Sequence, residues 1–283
     1  MPLTNMTSML QTARQEKYAV GAFNILDYNS MKAVVDAAEE LHSPVIIQTS
    51  VKTVVFWGYE PVMSWARQLT QNTSVPVAVH LDHCKDIDVI KKCIRFGWTS
   101  VMIDASSKPF EENKTLTRQV LDMAKPKGVS VEAELGAIVG VEDDIHVKEQ
   151  DAHLADPEQA IEFCQELPVD CFAPAIGTAH GVYKGEPKIS YDLIEKIAQK
   201  TGIPLALHGG TGLSEKVFHQ CIKLGCAKVN ISTQLKYAHI DGFVDHFLET
   251  KVYNPLKQLG AQYEALRSAV IENIKLFGSE GKA

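Results

Sequence analysis

Cysteine is sparse and scattered. The six that occur, Cys84, Cys93, Cys164, Cys171, Cys221 and Cys226, include no CxxC pair, and the chain is far longer than a small stapled domain. That excludes a disulfide-dense secreted scaffold and makes buried or surface thiols in a reducing compartment the expectation. Long apolar runs are also missing: none approaches the roughly 20 residues that span a bilayer. The first 18 residues are polar, carry charges of both signs and lack the apolar core of a secretory signal. No membrane partner is expected, and the cytoplasm is the expected location. Clustered basic charge is lacking too. With 28 Lys and Arg against 35 Asp and Glu, the formal net charge is −7, so no nucleic-acid surface is expected. Low-complexity stretches and obvious linkers are absent, which leaves a single domain over residues 1–283 as the simplest division.

What the chain does have is a rhythm. Short apolar runs such as PVIIQTS, VPVAVHLDH and IPLALHGG recur eight times, at 18–25, 44–50, 75–83, 100–106, 129–136, 171–181, 204–212 and 227–233. Runs of this kind suit strands covered on both faces, as in parallel sheets. Helical periodicity lies between them at 29–42, 86–96, 113–124, 157–166, 191–200 and 214–224. Alternation of the two signals predicts an α/β fold built of βαβ units, and eight of them favour a closed (β/α)8 TIM barrel over an open sheet. Two regions break the rhythm. Residues 136–155 form a long connection, glycine-rich at its start and acidic in its middle. Residues 234–283 read as a C-terminal helical extension, with an amphipathic helix over 261–277 stopped by Gly278.

In this fold the C-terminal strand ends carry the chemistry. Here those ends hold Asn24, Ser50, Asp82, His83, Asp104, Glu134, His180, His208 and Asn230. Three histidines at one mouth point to a metal, because three imidazoles with an open fourth position make catalytic zinc geometry. No local spacing joins His83, His180 and His208, and each taken singly reads as an ordinary hydrogen-bonded histidine; their joint placement is the signal. One tension stands out: strand alternation sets His80 and Asp82 on one face and His83 on the other. His83 reaches the site only if the strand has ended near Asp82. The other histidines (His42, His80, His146, His153, His219, His239 and His246) are assigned surface or packing roles.

The loops HGGTG (208–212), NIST (230–233) and GTAHG (177–181) have the composition and position of a phosphate cradle, with tight turns as the plainer alternative. An open-site Zn2+ polarises a carbonyl, and Asp82 beside a ligand is placed to move a hydroxyl proton. Glu142, in the acidic stretch Glu142–Asp144, is a candidate second base on a loop that nearby glycines let move; a solvated acidic turn is the competing reading. Asp104 and Glu134 read either as secondary metal contacts or as hydrogen-bonding groups of the barrel rim.

At these residues the chain resembles the class II (zinc-dependent) fructose/tagatose-bisphosphate aldolase family across nearly its full length, and most of all the tagatose-bisphosphate branch. The resemblance rests on AFN (22–24), HLDH (80–83), MIDAS (102–106), VEAELG (131–136), GVEDD (140–144), GTAHG, HGGTG and NIST, in that order. It implies reversible cleavage of a ketose (bis)phosphate, such as tagatose or fructose 1,6-bisphosphate, to dihydroxyacetone phosphate and an aldehyde. It implies Zn2+ on His83, His180 and His208, with Asp104 and Glu134 as secondary metal positions. Asp82 would be the proton donor and acceptor and Glu142 the loop acid/base. Gly181, Gly209, Gly210, Thr211, Asn230, Ile231, Ser232 and Thr233 would hold dihydroxyacetone phosphate, and Ser50 would meet the aldehyde half. Some members also hold Na+ or K+ near the phosphate, and homodimers or homotetramers are usual.

There are departures. The loop reads VGVED, with Val139 where the family has a first glycine, and Gly210 and Thr211 stand where many members have alanine or serine. Arg267 is the only arginine after residue 233, where the family often grounds a second phosphate. That leaves open an aldolase for a modified sugar 1-phosphate, with a deoxy, acidic or non-phosphorylated aldehyde half. A zinc hydrolase on the same barrel is a further alternative, but it would use an early HxH pair, and the early histidines read HLDH. A barrel without catalysis would have no need of Asp82 and three histidines.

Overall fold

The computed structural model describes residues 3–142, 145–147, 153–181, 183, 185 and 187–283; at 139, 141–142 and 145–147 the backbone alone is described. In chain order the elements are α1 (Thr7–Glu16), β1 (Val20–Asn24), α2 (Tyr28–Glu40), β2 (Val45–Ser50), α3 (Val51–Trp57), α4 (Tyr59–Thr70), β3 (Val77–Cys84), α5 (Ile87–Phe96), β4 (Ser100–Ile103), α6 (Phe110–Ala124), β5 (Ser130–Leu135), β6 (Val139–Glu142), β7 (Ile145–Val147), α7 (Pro157–Glu166), β8 (Cys171–Pro174), β9 (Ala179–His180), α8 (Tyr191–Thr201), β10 (Leu205–Leu207), α9 (Glu215–Leu224), β11 (Cys226–Ile231), α10 (Thr233–Thr250) and α11 (Pro255–Leu276). Eight of the strands close a parallel barrel in the order β1-β11-β10-β8-β5-β4-β3-β2. This is the predicted (β/α)8 barrel. No helix among the described residues is long and apolar enough to cross a membrane.

Local chemistry starts and stops the helices. Asp86 caps α5 by accepting from the backbone amides of Asp88 (2.8 Å) and Val89 (3.4 Å), and Gly97, at φ 107°, ends it. Asp27 caps α2 in a reciprocal box with Ser30.

The strands are buried on both faces, and the faces differ. Outward residues such as Phe23, Ile47, Val79, Val101, Val131, Phe172, Leu205 and Val229 pack under the helices in one large core. Inward residues near the strand starts, among them Val20, Ala22, Ile46, Ala78, Cys171, Ala173 and Ala206, form a second core. Met6, Met9, Leu10 and Ala13 join it, so that residue 6 and α1 plug the N-terminal end of the barrel.

The structure corrects several boundaries. The run 171–181 is two strands: Pro174 has no N–H to continue the ladder, and the chain turns before β9. The run 204–212 keeps only three strand residues, because the backbone turns at Gly209, whose φ is 68°. Helices α1, α3 and α4 had no counterpart in the sequence reading. Helix α11 starts at Pro255 rather than 261, with Asn254 accepting from the Leu256 amide at 3.2 Å. It packs on α2 and β1, while α10 buries Leu235 alone.

In the long connection 136–155 the described residues include strand structure. Strand β6 pairs antiparallel to β7 and parallel to β9. A Cβ on Gly140 would lie 2.2 Å from the His180 carbonyl oxygen. Gly140 is thus required by close approach to the backbone that carries His180, rather than for freedom of movement.

Candidate active site and metal centre

The mouth of the barrel gathers the predicted histidines. One nitrogen from each of His83, His180 and His208 lies within 4.8 Å of the others. Ring centroids are 4.6 Å apart for His83 and His208, 5.1 Å for His83 and His180, and 6.2 Å for His180 and His208. They come from β3, β9 and the residue after β10.

The tension over His83 is resolved by the backbone. The β3–β4 register shifts between Leu81 and Cys84, and His83 sits at φ 46°, a left-handed conformation unusual for any residue but glycine. This bulge brings His83 to the same face as Asp82. The strand does not end at Asp82; it kinks there.

Carboxylates surround the rings. His83 Nδ1 is 3.5 Å from Asp104 Oδ2 and 3.7 Å from Glu134 Oε2, and His83 Nε2 is 4.0 Å from Asp82 Oδ1. His208 Nδ1 is 3.4 Å from Glu134 Oε2. Burial works against charge on His83, but Asp82, Asp104 and Glu134 outweigh it and hold the imidazole well above its usual pKa. Burial opposes charge on Asp104 too, yet contact with His83 and Ser106 leaves its carboxyl below the usual range. The cage favours positive charge at its centre.

The residues fit a metal ion. Both nitrogens of His83, Nδ1 of His208 and Oε2 of Glu134 are buried without a hydrogen-bond partner. Buried polar atoms normally have one, and leaving each unsatisfied costs about 1–3 kcal/mol. These atoms face one another across a gap of ligand dimensions, from elements that hold them rigidly. Asp104 and Glu134 thus lie at the cluster itself. Asp104 also bonds its own loop, accepting from Ser106 Oγ at 2.6 Å.

Asp82 is buried and faces two amides, Asn24 Nδ2 at 3.3 Å and Asn230 Nδ2 at 3.4 Å. Gln48 Nε2 holds Asn24 Oδ1 at 2.7 Å. The Asn230 side chain is therefore turned inward toward Asp82. Ser50 pairs in register with Asp82 on the neighbouring strand, and its hydroxyl caps α3, accepting from Thr53 N at 3.2 Å. Beside it opens a cleft of about 750 Å³ lined by Asp27, Ser50, Lys52, Phe56, Trp57 and His239, among others.

The predicted phosphate loops converge on the start of α10. Ser232 precedes this helix without a side-chain cap bond, and its buried Oγ has no partner. Thr211 Oγ1 accepts from Gln234 N at 3.3 Å. Ile231 is buried, Thr233 opens the helix, and Gly181 takes φ 87°. A Cβ on Gly209 would lie 2.3 Å from the Ala179 carbonyl, and one on Gly210 would lie 2.8 Å from that of Asn230. Both glycines let two loops touch. The Glu142 backbone lies in β6; its side chain lies outside the described residues, as do Asp143 and Asp144.

Sequence reasoning missed three residues here. Tyr183 ties GTAHG to HGGTG, accepting from Ala179 N at 3.0 Å and donating to Gly209 O at 2.6 Å. Glu132 and Lys228 are wholly buried beneath the histidines. The available signal was alternation, since each stands two residues before an assigned site residue in an otherwise apolar strand. His80, assigned to packing, is buried and bonds Ser100 Oγ at 2.8 Å.

Comparison with known proteins identifies the family. The model of the family described as fructose-bisphosphate aldolase class-II matches residues 4–282. The chain is 43% identical over 287 residues to a fructose-bisphosphate aldolase of Geobacillus stearothermophilus, covering 100% of this chain and 99% of the relative. It is 40% identical over 277 residues to a sulfofructosephosphate aldolase of Alkalicoccus urumqiensis, covering 98% and 96%. The crystal structure of the YdjI aldolase from Escherichia coli K12 superposes with a TM-score of 0.88 at 34% identity, covering 99% of each chain. The chain therefore belongs to the class II fructose-bisphosphate aldolase family, a family of lyases that act on sugar phosphates.

Proposed function

We propose that this chain is a zinc-dependent aldolase that reversibly cleaves a ketose phosphate, such as tagatose or fructose 1,6-bisphosphate, to dihydroxyacetone phosphate and an aldehyde. The observation that carries the reading is the convergence of His83, His180 and His208 within 4.8 Å, beside Asp82. These histidines would hold Zn2+, with Asp104 and Glu134 as secondary positions. Bound there, the metal would supply Lewis-acid polarisation of the substrate's carbonyl. Asp82, held by two amides, takes the hydroxyl proton as the carbon–carbon bond breaks and returns it on condensation. Glu142 is the acid/base for the dihydroxyacetone phosphate carbon. The backbone amides of Gly181, Gly209, Gly210, Thr211, Asn230, Ile231, Ser232 and Thr233 bind its phosphate at the start of α10. A monovalent cation, Na+ or K+, accompanies that phosphate, and Ser50 meets the aldehyde half. The whole chain acts as one domain in the cytoplasm.

It works as a homodimer or homotetramer. Helix α10 exposes Tyr237, Ile240, Val244 and Leu248, the connection after it Tyr253 and the start of α11 Leu256, more apolar surface than isolated residues require.

A second reading of the substrate has its own support. The cleft beside Ser50 is walled by Val55, Phe56 and Trp57, and its described lining includes Lys52 but no arginine. Arg267 is engaged elsewhere, on Glu40 and Glu264. An aldehyde half that is deoxy, acidic or unphosphorylated suits such a wall. Both readings are tested by following dihydroxyacetone phosphate release from fructose and tagatose bisphosphates, their 1-monophosphates, and deoxy and acidic analogues. The reading predicts release that stops on chelation, returns with Zn2+, and falls about 10²–10⁴-fold in Asp82→Asn. A bisphosphate preference of many orders in kcat/KM would eliminate the second reading. No release from any ketose by zinc-loaded protein would eliminate both.

A further inference from the structure

Beneath the histidines the barrel interior holds a charged pair that the proposed reaction does not use. Lys228 and Glu132 are both fully excluded from solvent. Lys228 Nζ is 3.1 Å from Glu132 Oε2 and donates to Asn230 Oδ1 at 2.6 Å. Its inward placement follows from strand alternation: it stands two residues before Asn230 and pairs with Val20, which also points inward. An unpaired ammonium here would cost several kcal/mol, and the carboxylate of Glu132 is the group placed to offset it.

Each end of this pair touches a different part of the proposed machinery. Glu132 Oε1 lies 2.8 Å from His208 Nε2. A carboxylate only accepts, so this contact places the ring proton on Nε2 and the lone pair on Nδ1, the nitrogen that faces the cluster and lacks a hydrogen-bond partner. At the other end, an ammonium only donates. It therefore fixes the Asn230 oxygen toward itself and turns the Asn230 NH2 toward Asp82 Oδ1, 3.4 Å away.

We propose that Lys228 is a positioning residue that, through Glu132 and Asn230, sets the metal-binding tautomer of His208 and the orientation of Asp82 together. It touches neither substrate nor metal. The inference rests on the aldolase reading, but two of its tests need no substrate.

The first test reads zinc-loaded wild-type enzyme by long-range nitrogen–proton NMR of labelled histidine. His208 should carry a slowly exchanging proton on Nε2, with Nδ1 bound to the metal. A proton on Nδ1 would overturn the proposal. The second is the charge-neutral variant Lys228→Met/Glu132→Gln, titrated with Zn2+ against a competing chelator. Outer contacts of metal ligands typically change affinity about 10–100-fold, and a zinc dissociation constant raised by that much is expected, with kcat reduced similarly and KM moved less than about threefold. Zinc affinity and kcat within about threefold of wild type, or a loss confined to Tm, would contradict it. Should the double variant not fold, the wild-type spectrum decides. Wild-type protein that binds no zinc at all would instead defeat the aldolase reading itself.

Discussion

The two ends of the barrel interior are built from different materials. The floor is packed with Met6, Leu10, Val20, Ala22, Ile46, Ala78, Cys171 and Ala206, all dry and apolar. Above it the same strands turn inward Asn24, Gln48, His80, Asp82, Glu132, Glu134, Lys228 and Asn230. Interior polar atoms without a hydrogen-bond partner, among them atoms of Gln48, His80, His83, Glu134 and His208, lie in this upper half. Burial of apolar surface stabilises the floor; the mouth spends stability on holding charges where water cannot reach them. Within a single strand, Ala78, His80 and Asp82 pass from one regime to the other in five residues. Stability and chemistry are thus separated along the barrel axis, so damage to either end should be distinguishable.

The largest expected effect is at the mouth. His208→Ala should abolish stoichiometric zinc binding and lower kcat/KM by at least about 10³-fold, while circular dichroism stays native. Full zinc occupancy in that variant would remove His208 from the centre. At the floor, Leu10→Ala should cost about 2–5 kcal/mol in denaturant unfolding yet leave zinc affinity and KM unchanged. A change in zinc affinity from this site would show that the two ends are coupled after all. Outside the barrel, Ile240→Glu with Val244→Glu should reduce the proposed homo-oligomer to monomers in light scattering and leave zinc binding intact; an unchanged mass would contradict an interface on α10.

The smallest effect concerns the thiols. All six cysteines are buried, and burial disfavours the thiolate, pushing Cys84 up to about 11 and Cys164 up to about 12. At pH 8 both are protonated, so native protein should take up almost no thiol reagent and denatured protein should take up six equivalents. Rapid native labelling of either would show an opening the packed barrel does not predict.

Much of this was legible in the sequence because the responsible signals are local. Doubly buried strands read as continuous apolar runs, and Gly97 marks its own helix end. The convergence of His83, His180 and His208 on one mouth was legible from strand position, but the means by which His83 reaches it was not. It depends on a positive φ at a histidine and a register shift set by the neighbouring strand, which alternation alone argues against. Glu132 and Lys228 escaped for a related reason: alternation turns each inward, but a charge in a barrel interior makes sense only once its partner 96 residues away is known. Helix α1 was missed because its value is tertiary. Its apolar positions Met9, Leu10 and Ala13 make little pattern alone and matter only as the plug of the barrel floor.

The account's central claim is that three imidazoles from three separate elements share one metal ion. Anomalous diffraction at the zinc absorption edge, from crystals of protein purified without chelator, tests it most directly. The account predicts one strong peak about 2.0–2.1 Å from a nitrogen of each of His83, His180 and His208, with Nδ1 as the contact on His208. A peak touching fewer than three of these rings, or lying elsewhere, would contradict it.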